Sequence, residues 1–107
     1  MKTVQRKKIT PDSRRVEELL RTEFPDVKAY QYNSASIRVR VTDPRFEGKT
    51  ASERDAMVSP ILAQLPEELE RDILMLLMVT PKERQPDYLN PRSLVNLEFD
   101  DPGRSRL

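Results

Sequence analysis

Four carboxylates, Asp43, Glu47, Glu53 and Asp55, crowd one short stretch of this chain and are interleaved with Arg45, Lys49 and Arg54. Acid–base catalysis by paired carboxylates needs one of them held protonated in an environment that pushes its pKa up. Alternating signs at this spacing point instead to surface ion pairs, each worth little. A second group mixes cations with rings: Lys28, Tyr30 and Tyr32 in one segment, Arg38 and Arg40 in the next. Aromatic platforms among cations suit single-stranded nucleic acid. The basic start of the chain, with Lys7 and Lys8, adds candidate phosphate contacts.

The chain has neither cysteine nor histidine. That removes disulfides, thiol catalysis and thiolate ligation, and with them a structural zinc site. No nucleophile–base set and no phosphate-cradling glycine loop is present, so no catalytic residue, metal site or cofactor is assigned and the chain reads as a non-enzyme.

The elements that must carry these residues follow from periodicity and caps. Thr10-Pro11-Asp12 reads as an N-cap, a proline at the first helical position and an acid in the first turn. Val16, Leu19, Leu20 and Phe24 continue one amphipathic helix that Pro25 ends. Residues 27 to 32 and 37 to 42 read as a hairpin around the polar turn Asn33-Ser34-Ala35-Ser36. In the second strand Ile37, Val39 and Val41 point inward, and Arg38, Arg40 and Thr42 point to a wet outer face. On that reading Lys28, Tyr30 and Tyr32 share the open face with Arg38 and Arg40. Pro44 stops the strand. Gly48, the only glycine before residue 103, is expected at positive φ. Thr50-x-x-Glu53 is a capping box for a helix whose apolar face is Met57, Val58, Ile61, Leu62 and Leu65. Pro60 sits awkwardly inside that helix and Pro66 ends it. After a short turn at residues 67 to 70, residues 73 to 79 are apolar on both faces and read as a strand parallel to the second.

At 107 residues the chain is expected to form one domain, with a basic flexible arm at 1 to 9, a folded unit at 10 to 83 and an extension at 84 to 107. Net charge is only +1, so global charge does not by itself argue for nucleic acid. The longest apolar run is too short to span a bilayer and no apolar stretch follows the basic start, so a cytoplasmic protein off the membrane is expected.

The run Asp43-Pro44-Arg45-Phe46-Glu47-Gly48, followed by Arg54-Asp55 and a hydrophobic helix face, resembles the central motif of the BolA family over about residues 13 to 83. The resemblance rests on Phe46, Gly48 and Arg54 and on the order of elements. It implies a small α+β domain, αββαβ, similar to the type II KH fold, with two or three helices on one face of a three-stranded mixed sheet. It also implies a non-enzymatic regulator or adaptor, partnership with monothiol glutaredoxins around an iron–sulfur cluster, and nucleic-acid binding. This chain departs from the family where the ligands belong. Asp55 replaces the motif histidine, Asp72 falls near the ligating histidine, and the Asn33 to Ser36 turn holds neither histidine nor cysteine. Carboxylates are poor ligands for soft iron clusters.

The KH clamp Gly-x-x-Gly is also missing, and Glu47 beside the lone Gly48 would repel phosphate. The functional expectation is a regulator or adaptor that binds protein or nucleic acid. The alternative is an interaction or structural module, as a homodimer, that has lost the glutaredoxin function. Because residues 73 to 79 offer apolar side chains to both sheet faces, Leu94, Val95, Leu97 and Phe99 are expected to fold back, as an extra edge strand or as the cover of a second subunit.

Overall fold

The computed structural model describes residues 9 to 84 and Phe99. Helix α1 (Pro11–Leu20) leads into the antiparallel strands β1 (Asp26–Asn33) and β2 (Ser36–Thr42). A 3-10 turn (Pro44–Phe46), α2 (Ala51–Leu62) and α3 (Glu67–Arg71) then carry the chain to β3 (Ile73–Val79). The sheet order is β1-β2-β3, and β3 lies parallel to β2. This is the mixed three-stranded α+β architecture expected from the sequence.

Local chemistry explains each boundary. Thr10 Oγ1 accepts from Ser13 N at 3.1 Å while Ser13 Oγ accepts from Thr10 N at 2.8 Å, a reciprocal cap that fixes the start of α1. The helix ends at Leu20, earlier than Pro25, because its last carbonyls turn to local donors: Thr22 Oγ1 donates to Leu19 O at 2.7 Å, and Phe24 N to Leu20 O at 2.9 Å. Thr50 and Glu53 form the expected second box. Likewise α2 stops at Leu62, short of Pro66, which serves instead as N-cap of α3. Pro60 is held inside α2 on its exposed side, where water can satisfy the carbonyl that loses its partner.

One side of the sheet carries the main core. Val27, Ala29, Ile37, Val39 and Val41 pack with Val16 and Leu20 of α1, Val58 and Leu62 of α2, and Phe24, Phe46, Leu65 and Leu69. Burying each large aliphatic or Phe side chain contributes about 1.5–3 kcal/mol, so this face dominates the stability. Ile73, Leu76 and Met78 extend it on β3.

The opposite face is not the wet surface the alternation suggests. Tyr30 and Arg40 are 0% exposed, Thr42 and Val79 are buried beside them, and Phe99 is 1% exposed. The Phe99 ring meets Tyr30 edge-on at 5.2 Å, so at this residue the C-terminal segment does fold back onto the domain. Phe99 has helical backbone and is therefore not part of an added edge strand. The remaining residues expected to pack there, Leu94, Val95 and Leu97, lie outside the described residues. No described helix is long and apolar enough to cross a membrane.

Candidate functional site

The outer sheet face gathers the predicted cation–aromatic set but exposes only part of it. Register sets Lys28 opposite Arg40 and Tyr30 opposite Arg38. The Arg38 guanidinium stacks on the Tyr32 ring at 3.6 Å. Lys28 is exposed, and Tyr32 and Arg38 are half-buried. Tyr30 and Arg40 lie beneath Phe99, with the Arg40 guanidinium 5.5 Å from its ring centre. Alternation decides which side of a strand a residue takes; it says nothing of what later covers that side. Lys7 and Lys8 lie outside the described residues.

Three of the four carboxylates in the acid-rich loop, Asp43, Glu53 and Asp55, are engaged in local hydrogen bonds. Asp43 Oδ1 accepts from Arg45 N at 2.8 Å and Nε at 3.0 Å, and Oδ2 from Nη2 at 2.9 Å. These bonds from Arg45 hold the Asp43 carboxyl below its usual range, against its burial. Arg45 also donates to Glu23 O at 2.8 Å and lies 5.0 Å from the Phe24 ring. The Thr50 backbone keeps Glu53 low through the capping bond. Asp55 accepts from Ser59 Oγ at 2.8 Å. An acid catalyst needs a raised pKa, and both carboxyls shifted in this loop move the other way.

Gly48 has φ +75°, the left-handed turn that brings the chain round to α2. Arg54 then reaches across from α2. Its Nε donates to Lys49 O at 3.0 Å and its Nη1 to Met78 O at 2.9 Å. Glu83 receives Nη1 at 2.7 Å and Nη2 at 3.1 Å. Glu83 is itself set by a cap, accepting from Thr80 N at 3.0 Å while its own N donates to Thr80 Oγ1 at 3.1 Å. Arg54 depresses the Glu83 pKa through the paired hydrogen bonds. Sequence reading missed Glu83, although Thr80-Pro81-Lys82-Glu83 repeats the Thr-Pro opening of α1 and ends on the acid of a capping box.

Also unforeseen is the dressing of β1 by α1. Arg21 Nη2 donates to Val27 O at 3.1 Å, and Ala29 N donates to Glu17 Oε2 at 2.9 Å. The two side chains pair at 3.2 Å. They line an open cavity of about 350 Å³ with Ile9, Arg14, Glu18 and Lys28, mixed in charge.

The donor set does not fit an iron–sulfur cluster. Asp72 is the C-cap of α3, with its carbonyl accepting from Ile37 N at 2.8 Å, and Asn33 Oδ1 is spent on Ala35 N at 2.9 Å. Among the described residues no three potential ligands converge on one point. Carboxylates scattered this way offer neither the softness nor the geometry that a cluster needs.

No family model matches the sequence, and no curated protein does. Two solved structures resemble the chain in shape. BolA1 from Arabidopsis thaliana is 23% identical with a TM-score of 0.54, over 73% of this chain and 100% of that one. The solution structure of BolA1 from Mus musculus is 20% identical with a TM-score of 0.55, over 85% of each chain. The chain thus has the fold seen in BolA1 proteins, in agreement with the motif of Phe46, Gly48 and Arg54.

Proposed function

We propose that the chain is a non-enzymatic, BolA-like adaptor that works by protein contact and not by cluster or nucleic-acid binding. One observation carries this reading. Phe99 closes the sheet face over Tyr30 and Arg40, while β3 presents Leu74 at 70% exposure beside half-buried Met75 and Leu77. An exposed Leu flanked by half-buried apolar side chains on a strand edge suits a protein contact, and Tyr30, one of the two rings a single strand would stack upon, is covered by a side chain of the protein itself. The absence of histidine and cysteine removes the ligands by which the family resemblance implies a shared cluster.

The test compares the full chain with Leu74→Glu. Protein captured by the immobilised full chain is identified and rebuilt from pure components. The variant should weaken that complex roughly tenfold or more. Mixing with a monothiol glutaredoxin under cluster-forming conditions should give no visible absorption band. A new band, or tight salt-sensitive binding of single-stranded RNA with protein capture indifferent to Leu74, would sink the reading.

A further inference from the structure

A sheet ordered β1-β2-β3 has two edges, and here they are unlike. On β1 the outward Val27 carbonyl accepts from Arg21 and the outward Ala29 N–H donates to Glu17, and those two charges stand beside the strand. Charged side chains on a bonded edge block the approach of another strand. On β3, Val79 turns its carbonyl inward to Asp43 N at 2.9 Å, so alternation turns the peptide groups of Leu76 and Met78 outward. Arg54 bonds the Met78 carbonyl, which confirms that direction and dresses the C-terminal end of this edge. The edges therefore differ in degree: two charged side chains bond β1 and one bonds β3, at its end. No described strand lies on that side of Leu76.

From this asymmetry we propose that the chain pairs with a second copy of itself, β3 against β3, antiparallel about a two-fold axis at Leu76. The proposal rests on the protein-contact reading and names its partner. Among the described strands β3 alone has no charge and no polar side chain. The axis sets Leu76 against Leu76, Met75 against Leu77 and Leu74 against Met78. Every cross-strand pair is then Leu with Leu or Leu with Met, and apolar pairs of this kind stabilise an antiparallel ladder.

Leu74 is the extra residue where the β2–β3 register slips between Ile37 and Arg38, and the second copy supplies the cover it lacks. Beyond the strands, exposed Glu67, Glu68 and Glu70 of one copy approach the end of the other where exposed Lys82 follows β3. Since Arg21 and Glu17 set charge on the β1 edge at Val27 and Ala29, pairing should stop at two copies instead of growing into a fibre.

Sedimentation of the full chain over a wide concentration range, combined with hydrogen exchange at single amides, tests this. The expected result is a reversible monomer–dimer equilibrium in which the Leu76 and Met78 amides are protected in the dimer and exchange on dilution. Leu74→Lys alters a side chain that the single chain leaves exposed. It should keep its spectrum and melting while raising the dissociation constant roughly 100-fold, since each copy brings a charge against the apolar strand. A chain monomeric at every concentration overturns the dimer. The adaptor reading still stands in that case if Leu74→Glu abolishes capture of a foreign protein. A dimer whose Leu76 and Met78 amides exchange freely, or one that Leu74→Lys does not weaken, overturns the β3 edge. Open-ended assembly overturns the closure.

Discussion

Gly48 and Asp43 show how much one residue can fix. At Gly48 an added Cβ would meet nothing within 4 Å, so the penalty for Gly48→Ala is the strain of holding φ at +75° with a side chain. That strain costs roughly 1–2 kcal/mol. Urea unfolding should show the loss in the midpoint with an unchanged slope; an unshifted midpoint would dismiss the strain. This glycine and the caps at Thr10 and Thr50 were legible because their physics is contained within four or five residues. Tyr30 and Arg40 were only half legible. Their side of the sheet followed from alternation, but their burial depends on Phe99, nearly sixty residues further along than Arg40.

The element scale turns on the clasp between α2 and the turn after β3. Arg54 is nearly buried and bonds two backbone carbonyls besides Glu83, whereas the Glu83 side chain is 47% exposed. Arg54→Ala should therefore cost roughly 1.5–3 kcal/mol, since charge-assisted bonds to two backbone carbonyls and to Glu83 are lost together. Glu83→Gln should cost at most about 1 kcal/mol, the worth of a half-exposed pair.

Acid titration adds a second readout. The folded pKa values of Glu83 and Asp43 are depressed, so their stabilising effect is present above the ordinary carboxylate range and is lost as pH falls through the depressed values. Glu83→Gln should flatten that acid limb, and equal acid sensitivity in variant and parent would show the clasp to be incidental. The second strand was read nearly to the residue from its alternation, and the third from the length of its apolar run. The helix ends were not, since the sequence shows prolines at 25 and 66 but not the local bonds that end the helices sooner, Thr22 Oγ1 to Leu19 O after α1 and the tight backbone turns Gln64 N to Ile61 O and Leu65 N to Leu62 O after α2. The dressing of β1 by Glu17 and Arg21 had no sequence signal at all, because both positions look like ordinary solvated helix charges.

For the whole molecule the decisive contact is Phe99 on the second sheet face. Phe99→Ala should lower stability by about 3–5 kcal/mol, as for other buried Phe truncations, and leave Tyr30 and Arg40 accessible. Thermal melting checks the first effect and the solvent sensitivity of tyrosine fluorescence the second. A variant melting with the parent would reduce Phe99 to an ornament of the surface. The two-sided apolar character of β3 did announce in the sequence that a second cover was needed, though not which residue supplies it.

The parallel pairing of β2 with β3 has a consequence in time. The β1–β2 hairpin closes across a short turn, but β3 can join only after the chain has spanned the whole α2–α3 crossover, and long loops close at an entropic cost that must be met before their contacts form. Refolding speed should therefore be set by the arrival of Ile73–Val79, an expectation that φ-values near one for β3 substitutions would bear out and values near zero would overturn. The Arg54–Glu83 and Phe99–Tyr30 contacts assemble behind that barrier, so weakening either should hasten escape from the native state while leaving the rate of return almost untouched.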